Sequence, residues 1–176
     1  MTSNSECIEP SNSEQKNKDH WIIYHLKAIE YPKNKLEKQL SQILSLENPR
    51  EKLKKQKEKL QWFRNTINYH IKKISEHLMP DKTYEWLKEF RKAEASFDIQ
   101  LASLPKPSRK SKPSELNDIA RKIHERAMWF KNEIEHICLR AIESIVVTDK
   151  TKWAMETRDK ENKSYESIFV TANKYP

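Results

Sequence analysis

The chain contains no glycine in 176 residues, where ordinary usage of roughly 7% would supply about a dozen. Glycine is the usual residue wherever backbone takes positive φ or presses against a ligand. Its absence argues against a Walker phosphate loop, a GxGxxG dinucleotide turn and a GxSxG nucleophile elbow, which need glycine at fixed positions. Cysteine is almost as scarce. Cys7 stands in a polar N-terminal stretch and Cys138 inside a helical apolar pattern. Neither spacing nor context suits a disulfide framework or a zinc site, and Cys138 reads as a small buried hydrophobe. Long apolar runs are missing too, well short of the ~18 residues a spanning helix needs. The opening MTSNSECIEPSNSEQKNKD has no apolar stretch, so no secretory signal is expected. These absences predict a cytoplasmic protein with no membrane partner and no cofactor.

What is abundant is charge. Charged residues make up 34% of the chain and apolar ones 36%, with a mean hydropathy of −0.98. That balance suits long amphipathic helices, which expose a wide polar face. Thirty-four Lys and Arg against 26 Asp and Glu leave a formal charge of +8 and an isoelectric point near 9.3. A basic excess favours polyanionic partners, here nucleic acid or an acidic protein surface.

Periodicity fixes the organisation. Residues 1–18 are rich in Ser, Asn and Glu and are expected to be a disordered tail. From Asp19 a bundle is expected to run through residue 147, with a polar tail over 148–176. Trp21, Ile22, Leu26 and Ile29 mark a first segment interrupted at Tyr31-Pro32. Leu36, Leu40, Ile43 and Leu46 mark the next, opened by Pro32. A helix start then stands out, with Asn48 as cap, Pro49 at the first position and Glu51 three residues past the cap. Its stripe runs Leu53, Leu60, Phe63, Ile67, Ile71, Ile74 and Leu78. Met79-Pro80 ends it, and Asp81 is the expected cap of a helix turning Tyr84, Leu87, Phe90, Phe97, Leu101 and Leu104 inward.

Residues 105–113, PKPSRKSKP, hold three prolines and four basic residues and read as an exposed loop. Ser114 is the expected cap of the most regular helix, whose stripe Leu116, Ile119/Ala120, Ile123, Ala127, Phe130, Ile134, Ile137 and Ala141 steps by three and four. Beyond Val147 the pattern dissolves; Trp153 and the patch Tyr165, Ile168, Phe169, Val170 either dock on the body or form a short strand. The prediction is an all-α, elongated antiparallel bundle of about four helices with a disordered N-terminal and an irregular C-terminal tail. The alternative is a coiled-coil homodimer through the same narrow stripes.

The foremost candidate site is the basic run Arg50, Lys52, Lys54, Lys55, Lys57 and Lys59, diluted only by Glu51 and Glu58. Such a run can meet successive phosphates, and Gln61, Trp62, Arg64, Asn65 and Asn68 follow with side chains able to touch bases. Set against this is the common role of a charge run as a solvated helix face. The loop cluster Lys106, Arg109, Lys110 and Lys112 could grip a phosphate backbone without sequence preference, or serve only as a soluble connection.

Metal signals are partial. Glu133-Ile134-Glu135-His136 contains one Glu-x-x-His step, without the second copy and further carboxylates that a di-iron bundle needs. His124-Glu125 opens an HExxH that fails at Met128. His70 and His77 lie two turns apart, too far for one metal, and Trp62, Trp86, Trp129 and Trp153 read as packing. No metal site and no Ser-His-Asp constellation is expected.

One stretch has an enzymatic reading. Arg64-Asn65-Thr66-Ile67-Asn68-Tyr69-His70 resembles the R-polar-x-H signature of the HEPN superfamily of all-helical ribonucleases and toxin-like proteins, in which two protomers pair so that both copies line one cleft. By that resemblance Arg64 would stabilise phosphate charge, His70 would transfer a proton and Asn65 would orient them. Six helical residues leave Arg64 and His70 about a third of a turn apart. The leading expectation is a non-enzymatic basic helical protein binding nucleic acid or a nucleoprotein partner. Its small, Lys- and Asn-rich composition suggests an accessory factor of a mobile element or phage. The alternatives are a helical adaptor that contacts a protein partner along the Leu116–Ala141 stripe, and a HEPN-like ribonuclease.

Overall fold

A computed structural model describes residues 12–80 and 82–148. They form α1 (Asn12–Ala28), α2 (Glu30–Leu44), α3 (Pro49–Ser75), α4 (Glu85–Ala102) and α5 (Pro113–Thr148), with no strand among the described residues. Only Ile29 separates α1 from α2, so the bundle has four rods, as expected. The break follows from Pro32, which has no N–H to give the Ala28 carbonyl and whose ring crowds it. Ile29 keeps helical φ −65 and ψ −22, and bonding resumes with Lys33 N–H to Ile29 O at 3.2 Å. The interruption therefore lies upstream of Tyr31-Pro32, at the carbonyls the proline disables.

Three helix starts differ in detail. α1 begins at Asn12, so residues 12–18 are helical where a disordered tail was expected. Glu14 sits in the favourable first turn, and Gln15 Nε2 donates to Asp19 Oδ1 at 2.9 Å. Polar i,i+4 support of this kind leaves no apolar period to read. α4 begins at Glu85 behind an extended Tyr84 that makes no side-chain cap. The Tyr84 hydroxyl instead accepts from Met79 N–H at 3.3 Å. Asp81 lies outside the described residues, as do Cys7, Trp153 and the 165–170 patch. α5 begins at Pro113, one residue ahead of Ser114. Lys112 takes the cap position: its N–H donates to Glu115 Oε2 at 3.1 Å, the carboxylate half of a capping box. The α3 start matches expectation, with Asn48 Oδ1 accepting from Arg50 and Glu51 N–H at 3.0 and 3.2 Å.

Helix ends show how the chain turns without glycine. α2 and α4 stop at Ser45 and Ser103, both still in αR. Each serine hydroxyl donates back to a carbonyl three residues earlier, at 2.6 and 2.7 Å. The left-handed glycine cap is thus replaced by serine, and no described residue has positive φ.

Cross-helix pairs give the topology. Trp21–His77, His25–His70 and Lys35–Trp62 run in opposite order along α1–α2 and along α3 with the turn that follows it. Arg64–Asp98 and Asn68–Glu94 set α4 antiparallel to α3. Phe97–Phe130 and Glu89–Arg140 set α5 antiparallel to α4. α3 and α5 consequently run parallel, in direct contact across the bundle. At their crossing Phe130 stacks on Phe97 (4.5 Å between centroids) and meets the edge of Phe63 at 5.9 Å.

The expected α5 stripe is buried except for half-buried Ile123, so it is spent on the chain's own core. α4 departs more. Its core face is Trp86, Phe90, Ala93 and Phe97, while Tyr84, Leu87, Leu101 and Leu104 sit half-buried at the margins. On α1, Trp21 lies on the surface, stacked against His77.

Candidate nucleic-acid interface

An α-helix rotates about 100° per residue, so a continuous basic run cannot form one surface. Along α3 it divides. Lys54 and Lys57, with Gln61 and Arg64 further on, line a cleft of about 660 Å³ whose other walls are the end of α4, residues 104–107 and the first turns of α5. Lys55 lies on another side, paired with Glu51 at 2.9 Å. By helical spacing Lys59 shares that side, toward the flank where Trp62 lies under Lys35. Lys52 reaches α5, donating to Asn117 Oδ1 at 3.0 Å.

The loop cluster joins the first half. Lys106 lines the same cleft as Lys54 and Lys57. Arg50 holds the loop there, its Nη2 donating to the carbonyls of Ser108 and Arg109 at 2.9 and 3.2 Å. The loop is also folded on itself, with Ser108 N–H donating to Ser111 Oγ at 2.9 Å and Lys110 N–H to Ser108 Oγ at 3.3 Å. Arg109, Lys110 and Lys112 remain exposed. Gln56 explains why this end of α3 is seated firmly. It is fully buried and its Nε2 donates to Ala120 O at 2.8 Å. A buried side-chain amide bonded to a helix carbonyl carries no apolar signal, so periodicity passes over it.

Among the described residues Lys54, Lys57 and Lys106 make no ion pair. Arg64 differs. It pairs with Asp98 and lies 5.1 Å above the Phe97 ring, a fixed wall rather than a free cation. Asn65 accepts from Gln61 Nε2 at 2.9 Å, and Asn68 reaches Glu94 at 3.5 Å. Several polar residues after the basic run therefore serve the bundle.

His70 lies on the opposite flank from Arg64. Its Nδ1 is 3.2 Å from His25 Nδ1, a contact that needs one ring to donate and the other to accept. Burial, then the neighbouring His25, push the His70 pKa down to about 4. Burial, then His77 and Lys73, lower that of His25, against Glu76. Arg64 thus serves α4 while His70 serves α1, and among the described residues the clefts lined by Arg64 do not include His70. His124 is half-buried and its pKa is lowered by burial. Cys138 is buried, its thiol pushed up to about 12 by desolvation. Among the described residues no three His, Cys, Asp or Glu side chains gather as a metal site, and no helix is long and apolar enough to cross a membrane. No family model, curated protein or solved structure matches the chain.

Proposed function

We propose that this chain is a non-enzymatic, cytoplasmic binding protein whose basic end engages nucleic acid or a nucleoprotein. The observation that supports the reading is the meeting of Lys54 and Lys57 with Lys106 on one cleft, the loop held in place by Arg50. Two clusters separated by some fifty residues of sequence then act as one cationic surface. Lysine heads on such a surface contact phosphates and release counterions, which gives affinity without sequence preference. The fixed loop lowers the ordering cost that a free basic tail would carry on binding.

The test is a salt series with random-sequence oligonucleotides. The reading predicts a linear fall of log affinity with log salt, and a slope shallower by roughly two to three when Lys54, Lys57 and Lys106 are all changed to Gln, since each phosphate contact contributes about 0.9 on B-DNA. Absence of binding even at low salt would contradict it.

A further inference from the structure

Phosphate binding accounts for the rim of this cleft and leaves its floor unexplained. The floor is aliphatic, made by Leu53, Leu60, Leu101, Leu104, Ile119 and Ile123. Leu60 and Ile119 are buried beneath it, while Leu53, Leu101, Leu104 and Ile123 are half-buried, and the apolar surface they leave in water is stabilised when a partner covers it. Every charged side chain on the wall is cationic, namely Lys54, Lys57, Arg64 and Lys106, and no acid lines the cleft. No aromatic ring lines it either, so an unpaired base has nothing to stack on.

The layout along α3 narrows the occupant. Lys54, Lys57, Gln61 and Arg64 step by three, four and three, a row of polar heads about 15 Å long. Leu53 and Leu60 form an apolar strip beside it. Two unpaired lysines beside an aliphatic strip, with Lys106 across the cleft, complement a helix with apolar residues on one face and acids flanking them. A compact anion would satisfy the lysines and leave most of the floor bare. Nucleic acid offers phosphates and aromatic bases but no aliphatic ridge.

We propose that the cleft between α3, the α4–α5 loop and α5 docks an acidic amphipathic helix of a protein partner. Lys54, Lys57 and Lys106 meet its carboxylates, and its leucine-like side chains fill the space above Leu60, Leu101 and Leu104. Arg64, held by Asp98, closes the far end. This goes beyond the nucleic-acid reading, because it requires the floor as well as the rim, and since it uses the same three lysines the helix and nucleic acid compete for the cleft.

The test uses the full chain and a fluorescent peptide of about four helical turns, with Leu along one face and Glu on its flanks. Controls are the same peptide with every Leu changed to Ser, and a single-stranded oligonucleotide of equal charge. Ala102 lines the cleft and is exposed, so Ala102→Trp fills the space without removing core packing. The proposal predicts that the Leu peptide binds at least about tenfold tighter than its Ser form, and that Ala102→Trp weakens the Leu peptide about tenfold, as lost apolar contacts do. Lys54→Glu with Lys57→Glu weakens both peptide and oligonucleotide. Equal binding of the Leu and Ser peptides overturns the proposal, as does indifference of the Leu peptide to Ala102→Trp. Tight binding of the Leu peptide with no oligonucleotide binding supports the docking site and rejects the nucleic-acid reading.

Discussion

The two flanks of α3 use similar residue types to opposite ends. On the flank facing α1 the polar groups are consumed by one another. His25 and His70 share a hydrogen-bond contact, Trp21 stacks on His77, and Lys73 reaches Glu76 at 3.3 Å. On the flank facing the cleft, Lys54 and Lys57 stand beside Lys106 with no acid on the wall. Chemical richness is therefore a poor guide to which side chains stay unpaired in this bundle. The histidine-rich flank looks like a site in the sequence and behaves as packing, while the plain lysine flank keeps its charges available.

The largest effect should come from the point where both flanks are supported. Phe130 is sandwiched with Phe97 and Phe63 at the crossing of α3, α4 and α5. Phe130→Ala should cost about 3–5 kcal/mol and shift a single denaturant transition seen equally by probes on either flank. Two separated transitions would mean that the flanks belong to independently stable halves, which breaks the comparison.

A pH titration of stability sharpens it next. The His70 pKa falls from 6.5 to about 4 in the folded chain, and that of His25 is lowered as well, so the unfolded chain binds more protons across that interval. The contribution of His70 is complete above about pH 6.5 and is lost as pH falls toward 4, and the lowered pKa of His25 adds to it with the same sign. The loss attached to His70 should be roughly 2 kcal/mol once its partial exposure to solvent is allowed for. Chemical denaturation at a series of pH values should show this slope, and His70→Phe should flatten it. A wild-type slope that persists in His70→Phe would assign the acid sensitivity elsewhere.

The smallest effect concerns a lysine that is not free. Lys33 is buried and bonded to Glu30 and Glu135, each at 2.7 Å. Burial pulls its pKa down, but the bonds to Glu135 and Glu30 outweigh this and hold it above the usual value. Both glutamates keep solvent access, so Lys33→Met should change stability by less than about 1 kcal/mol and leave oligonucleotide binding untouched. A binding loss with Lys33→Met would show that the cationic surface extends beyond the cleft.

Much of the fold was legible because it rests on local rules. Asn48-Pro49-x-Glu51 announces a helix start, and the three–four steps from Leu116 to Ala141 announce a buried face. The missed features depend on groups without a periodic signature. α1 reaches back to Asn12 through polar contacts such as Gln15–Asp19, and Gln56 is buried through one amide bond to Ala120. Pro32 breaks the helix upstream of itself because the damage falls on the preceding carbonyls.

The candidate site was legible in its ingredients and not in its assembly. The run from Arg50 to Lys59 and the 105–113 loop were visible as separate clusters. Their meeting depends on the Arg50 hold and on the antiparallel return of α4, neither of which linear order contains. The cleft floor has no sequence signature of its own, because Leu101 and Leu104 share the spacing of core positions, and Arg64 and His70 share one motif although they face different helices.

The central claim is that the cleft flank of α3, and not the helix's charge as a whole, carries binding. Its most direct test compares two double variants in one salt series, Lys54→Gln with Lys57→Gln and Lys55→Gln with Lys59→Gln, which remove equal charge from the same helix. The account predicts that the first pair reduces the log–log salt slope by about two and the second leaves it near wild type. Equal reductions for both pairs, or none for either, would contradict it.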